Sequence, residues 1–223
     1  YVDGKKQGEE IGYYESGAVS YKLNFVDEKE QGESVGYYES GEVRSRLNYV
    51  DDLAQGERKE YYESGKLKSI INFVDDLAQG EIIQYYEAGE LLGKVNNVDG
   101  SMQGEAKKYF KSGMLANTIN FVNGISQGEE LEYYESGNIH TSVNWIDGVK
   151  QGKGKDYYES GKLMGIGTWI DGLRQGQEIN YYESGEIWIK LNRIDDLIQG
   201  ELKEFFKSGE LKSTQVFIDG IQQ

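Results

Sequence analysis

The residues best able to do chemistry in this chain are a single histidine, a recurring serine and three recurring carboxylates. Nucleophilic catalysis needs a nucleophile, a base and an acid converging on one pocket. His140 is the one imidazole, in a strand-like stretch whose neighbours vary from repeat to repeat. Ser64 and Ser136 each sit in a Glu-Ser-Gly triplet, a turn composition with no base beside it. The plainer reading is a solvated strand residue and two turn residues. Carboxylates such as Glu57, Glu63 and Asp75 recur in seven or eight of the nine copies, and stacked acids could offer oxygen ligands to calcium. Neither an EF-hand loop nor a glycine-rich calcium-binding nonapeptide accompanies them, however. They are expected to form a solvated acidic surface. No catalytic residue, cofactor or metal site is expected, and the chain is read as not an enzyme.

The segment that must position these groups is repetitive from end to end. Gln-Gly recurs at 7, 31, 55, 79, 103, 127, 151, 175 and 199, with no insertion or deletion. A period in this range means a solenoid or another array. Taking the glutamine as position 1, one unit reads QGERKEYYESGKLKSIINFVDDLA, residues 55–78. The expected domain is one array over residues 1–223, cut from a longer one, because Tyr1 falls partway through a unit and Gln223 opens another.

Composition agrees with a thin β structure. Hydrophobic residues are 37%, with 18 tyrosines and 30 glycines, against about 45–50% apolar for an ordinary globule. The net charge of −15 opposes nucleic-acid binding, which needs cationic surface, and opposes docking on anionic lipid. No cysteine is present, so disulfides are excluded and compartment stays open.

Aromatic and β-branched runs bounded by glycine and aspartate predict two strands per unit. Positions 3–8 (Glu57 to Tyr62) form the first and positions 12–20 (Lys66 to Val74) the second. Glycines at positions 2 and 11 disfavour helix. A two-residue turn on Ser-Gly would force positive φ on serine. A three-residue Glu-Ser-Gly loop with left-handed Gly65 avoids that, pairing Tyr62 with Lys66 and Tyr61 with Leu67. Continued alternation then gathers positions 5, 7, 13, 15, 17 and 19 on an apolar face and positions 4, 6, 8, 14, 16, 18 and 20 on a polar one. Position 13 is aliphatic throughout, from Val19 to Leu211, and position 19 carries Phe25, Tyr49, Phe73, Phe121, Trp145, Trp169 and Phe217. The fold expected is all-β, an elongated single-layer antiparallel meander of nine 24-residue hairpin repeats. It should hold about nineteen short strands and span roughly 85 Å.

The unit G-x-x-Q-G-E-x-x-x-Y-Y-E-S-G-x-L-x-x-x-x-N-F-V-D-G resembles the MORN-repeat superfamily, closest to its bacterial YYxNG-type variant. Gly56, Tyr61, Tyr62, Gly65, Leu67 and Phe73 carry the resemblance, which extends over essentially the whole chain. It implies an elongated sheet of consecutive hairpins used for scaffolding, dimerisation and partner binding. Some bacterial members are antitoxin-like, and some eukaryotic ones are tethered to membranes. This chain places serine where asparagine is common in the first turn, and it lacks the repeated basic residues a lipid-binding version needs.

These readings converge on a non-enzymatic scaffold that meets a protein, most simply a second copy, through an exposed apolar face. Leu67, Ile71, Phe73, Leu115, Ile119, Phe121, Trp145 and Trp169 are the expected interface residues, since contiguous apolar patches mark interfaces. The alternative is a carbohydrate or cell-wall reader using aromatic ladders, in which Trp145 and Trp169 would stack on sugar. An antitoxin-like binder and a designed repeat protein, suggested by the lack of proline and of indels, are further readings.

Overall fold

The structure is a computed structural model that describes residues 4–223; the first three residues of the expected array lie outside the described residues. The protein is all-β, with twenty-two strands and no helix among the described residues. It divides into two compact units, Tyr1–Gly113 and Met114–Gln223. In each unit successive strands pair antiparallel, as Val43–Val50 does with Leu53–Tyr61 and that strand with Leu67–Val74. The second unit repeats the pattern from Ile125–Tyr133 through Ile139–Ile146 to Val149–Tyr157. The excess over the expected strand number comes from two-residue stretches such as Lys29–Glu30, Leu77–Ala78 and Leu197–Ile198, each separated from the next strand by the position-1 glutamine alone.

The two turns of each repeat use different chemistry. In the first, the Tyr62 N–H donates to the Lys66 carbonyl and the Gly65 N–H to the Tyr62 carbonyl, both at 2.8 Å. Gly65 has φ 78°, so the three-residue loop holds its left-handed residue where no Cβ is strained. The second is a two-residue turn in which both residues are left-handed, Asp75 at φ 49° and Asp76 at φ 68°. That is the type I′ geometry, which favours Asn, Asp and Gly. The aspartates are held by hydrogen bonds from the preceding repeat. Asp76 accepts from the Ala54 N–H at 2.6 Å and Asp52 from the Glu30 N–H at 2.6 Å. The recurring glutamine grips the other turn residue: the Gln151 side-chain amide donates to Asp171 at 3.1 Å and its oxygen accepts from the Asp171 N–H at 2.9 Å. Gln7 and Asp27 repeat the contact at 2.8 Å.

A second link joins neighbouring repeats through the tyrosine at position 8. The Tyr62 hydroxyl donates to the Tyr85 carbonyl at 2.7 Å, and Tyr14, Tyr38, Tyr86, Tyr134, Tyr158 and Tyr182 make the same bond one repeat ahead at 2.6–2.8 Å. The tyrosine at position 7, such as Tyr61, contributes its backbone and its ring instead.

The register corrects the expected faces. Tyr61 pairs with Leu67, as the loop requires, but Glu60 pairs with Ser69, leaving Lys68 as an extra residue. The same bulge recurs in the other repeats, between Glu132 and Tyr133 for example. One inserted residue reverses every side chain beyond it. Directly opposed residues share a face, so Arg58 with Ile71 and Glu60 with Ser69 put positions 4 and 6 beside 15, 17 and 19. Positions 5, 7 and 13 go with 16, 18 and 20. Of the eight expected interface residues, Leu67 and Leu115 therefore lie on the opposite face from Ile71, Phe73, Ile119, Phe121, Trp145 and Trp169. All eight are half-buried. The position-19 aromatics are covered locally: Phe73 lies opposite Gly56 on one side and Ala78 on the other, and Gly56, at φ 78°, leaves its own side of the sheet open to the ring.

No large side chain among the described residues is fully buried, and the buried apolar set is Val35, Ala54, Val143 and Leu191. Cross-strand contacts must therefore substitute for a core. Replacing the position-8 hydroxyl tests this locally. Tyr62→Phe is expected to cost about 1 kcal/mol through loss of the bond to the Tyr85 carbonyl, and Tyr61→Phe to be near neutral. Urea denaturation of the two variants beside the parent checks the difference.

Candidate functional site

Two features stand out once the faces are assigned. The first is a row of aliphatic residues flanking the aspartate turns, on the face of positions 16 and 18. Positions 20 and 23 pair directly, as Val122 with Ile125, Ile146 with Val149, Ile170 with Leu173 and Ile194 with Leu197. These eight side chains are each 38–51% exposed. In the first unit Val50–Leu53 and Val74–Leu77 continue the motif, while Lys29 and Ser101 take position 23 in two repeats. Sequence reasoning placed position 20 on the polar face and passed over it; its aliphatic identity in all nine repeats, Val26 to Ile218, was the available signal.

The second feature is a hollow of about 240 Å³ on the opposite face of the second unit, lined among others by Glu130, Asp156, Gly154, Gly167, Trp169 and Arg174. Trp169 lines the hollow, and Trp145, at the same position one repeat earlier, shares Lys150 with it. Lys150 Nζ stands 5.3 Å from the Trp145 ring centre and 5.0 Å from that of Trp169, and the Arg174 guanidinium is 5.0 Å from Trp169. The Trp145 indole N–H donates to Glu130 at 2.8 Å. Glu178, buried, accepts from Arg193 at 2.7 Å and from Arg174 at 3.0 Å. Burial is the largest influence on its carboxyl and pushes it up, but the hydrogen bond and charge of Arg193, with Arg174 and Asn180, more than offset that and hold it below the ordinary range. Asp156 differs. It has no hydrogen bond to another described side chain, and burial raises its carboxyl above the usual value despite the charges of Arg174 and His140.

The remaining sequence candidates are dispersed. His140 packs on Tyr134 with ring centres 4.4 Å apart. Ser64 and Ser136 are exposed in their turns. Glu57 pairs with Lys59 at 2.7 Å, and Asp75 accepts from the Gln55 amide. Among the described residues no three acidic or imidazole groups converge to hold a metal ion.

The fold defines a class, an array of repeated antiparallel hairpins in a sheet. The MORN repeat variant family model matches residues 6–27, 30–51, 54–75, 102–123, 126–147, 150–171 and 174–195, and the chain belongs to that family. The repeats opening at Gln79 and Gln199 fall outside the matched ranges. No curated protein matches. Among solved structures, a TcdB2–TccC3–Cdc42 complex is similar at 10% identity over 94% of this chain and 17% of that one, with a TM-score of 0.21. The Photorhabdus luminescens Tc holotoxin pore is similar at 11% identity over 95% of this chain and 13% of that one, also at 0.21. The chain thus spans less than a fifth of those proteins, and at such TM-scores the likeness carries no argument.

The raised carboxyl of Asp156 sets a pH dependence. Because its folded value lies above the unfolded one, this group lowers stability as pH rises from the unfolded value through the folded value, and the loss is complete above it. Asp156→Asn is therefore expected to melt slightly above the parent at pH 7. The difference should vanish below about pH 3.9, where the unfolded chain also holds the proton. Thermal melts followed by circular dichroism across pH 3–8 check the sign.

Proposed function

We propose that this protein is a non-enzymatic scaffold that associates with a protein partner, most simply a second copy of itself, through its exposed aliphatic row. The observation that carries the reading is the paired exposure of positions 20 and 23, for instance Ile146 at 50% and Ile170 at 51%. Contiguous water-facing aliphatic side chains, as from Val122–Ile125 to Ile194–Leu197, are uncommon on free monomers and usually mark interfaces. The family membership supports a repeat-based scaffold. The half-buried set of Ile71, Phe73, Ile119 and Phe121 serves the sheet itself in this reading, and the contact surface moves to the row beside the turns. The surplus of acidic residues, 39 against 24 basic, keeps the rest of the surface hydrated and limits nonspecific stacking.

Sedimentation velocity over a wide concentration range tests the proposal. The parent should show concentration-dependent association, and Ile146→Glu with Ile170→Glu should reduce it at least tenfold while leaving the circular dichroism spectrum unchanged. Leu115→Glu with Ile119→Glu should instead lower the melting temperature, because those residues are half-buried in the sheet. A parent that stays monomeric at the highest concentration would contradict the self-association.

A further inference from the structure

We propose that the hollow in the second unit is a binding site for one pyranose ring of a neutral saccharide. It lies on the face opposite the aliphatic row and is independent of the scaffold reading.

The repeat at residues 151–174 is built differently from its neighbours. It alone has glycine at both positions 4 and 17, Gly154 and Gly167, with Gly165 at position 15 between them. None of the three has a left-handed backbone, so conformation does not demand glycine there. Space explains two of them. A Cβ on Gly154 would stand 2.8 Å from the Trp169 indole nitrogen, and one on Gly165 would stand 2.5 Å from the Asn180 side-chain oxygen. Gly167 is the informative one. A Cβ there would meet only Glu178, at 3.8 Å, which is ordinary contact. Neither backbone nor packing requires glycine at 167, where seven of the other repeats carry Leu, Ile or Val. Its effect is to leave the hollow open.

The lining suits a polyol. At about 240 Å³ the space is below the usual range for drug-sized ligands, about 300–1,000 Å³, and fits a single ring. Trp169 supplies an apolar wall. Asp156, half-buried and with no hydrogen bond to another described side chain, offers two acceptor oxygens to hydroxyl donors, in charge-assisted bonds stronger than neutral ones. Asn180 and Thr141 add donor and acceptor atoms. The walls hold four carboxylates and three cationic side chains, and Glu178 is already engaged by arginine. This near balance favours a neutral ligand over an ion. The aromatic wall is partly covered by Lys150 and Arg174 at 5.0 Å; the flexible lysine can leave the ring when a sugar face replaces it.

Calorimetric titration of the full chain with N-acetylglucosamine, cellobiose and maltose, with spermidine as a cationic control, tests the site. At least one saccharide should bind the parent with unit stoichiometry. Gly167→Val, which fills the hollow, should weaken binding by about tenfold or more without changing the circular dichroism spectrum. Asp156→Asn, nearly isosteric, should weaken it by a similar factor and decides the matter if the valine variant does not fold. No heat from any of the three saccharides, affinity unchanged in the variants, or a preference for spermidine would each overturn the proposal.

Discussion

Seven of the repeats are tied to the next by a tyrosine hydroxyl that reaches a backbone carbonyl one hairpin ahead. Phe110 has no hydroxyl to make the bond, and among the described residues no thicker core holds the sheet. Tyr62 to the Tyr85 carbonyl and Tyr158 to the Tyr181 carbonyl are two instances of that link, at 2.7 and 2.6 Å. A layer with Val35, Ala54, Val143 and Leu191 as its buried apolar side chains cannot draw its stability from a core. Its favourable terms are local: hydrogen-bonded strands, rings laid over glycines, and polar clips between turn aspartates and the glutamine or backbone of the adjacent strand. Each is small, on the order of 1 kcal/mol, but each is repeated. This explains why the turn glycines at positions 2 and 11 and the aromatic pair at positions 7 and 8 are kept in all nine repeats.

Period, strand content and the first turn were legible in the sequence because each depends on residue types with narrow conformational preferences. Gly65 had to be left-handed for the Glu-Ser-Gly loop to close, and it is. The faces were not legible. They depend on the bulge at position 14, which is filled by Lys68, His140, Met164 and Trp188 in different repeats, so no residue type announces it. With that one residue inserted, Leu67 parts company with Ile71 and Phe73, and the supposed apolar face divides. The Gln151–Asp171 clip was half legible: both residues recur at fixed positions, but a separation of 20 residues becomes a contact only once the hairpin is built. The hollow was visible in principle as glycines replacing side chains in a single repeat.

The bulge also explains how so thin a sheet can offer two chemically distinct surfaces. On one side it aligns the position-19 aromatics with the largely aliphatic position 17 and the mostly short or polar side chains of positions 4, 6 and 15, giving a mixed face whose rings are half-buried. On the other it leaves the aliphatic residues beside the aspartate turns with no neighbour above them. Variation between repeats then acts on a fixed frame. Glu178 with Arg174 and Arg193 forms a closed polar cluster in which Arg193 takes the position-19 site that Phe73 fills in another repeat. Asn97, buried with an unpartnered side-chain oxygen, marks a repeat where the usual aromatic at position 19 has been lost.

Amide hydrogen exchange resolved along the chain separates local linkage from a cooperative core. Arrays held by neighbour-to-neighbour interactions open piecemeal. Local linkage predicts protection that differs from repeat to repeat, is strongest at strand amides flanked by the tyrosine links, and falls toward the chain ends. Uniform protection across all repeats, with every strand amide exchanging through one global opening, would contradict it and would point to a cooperative core that these local links do not supply.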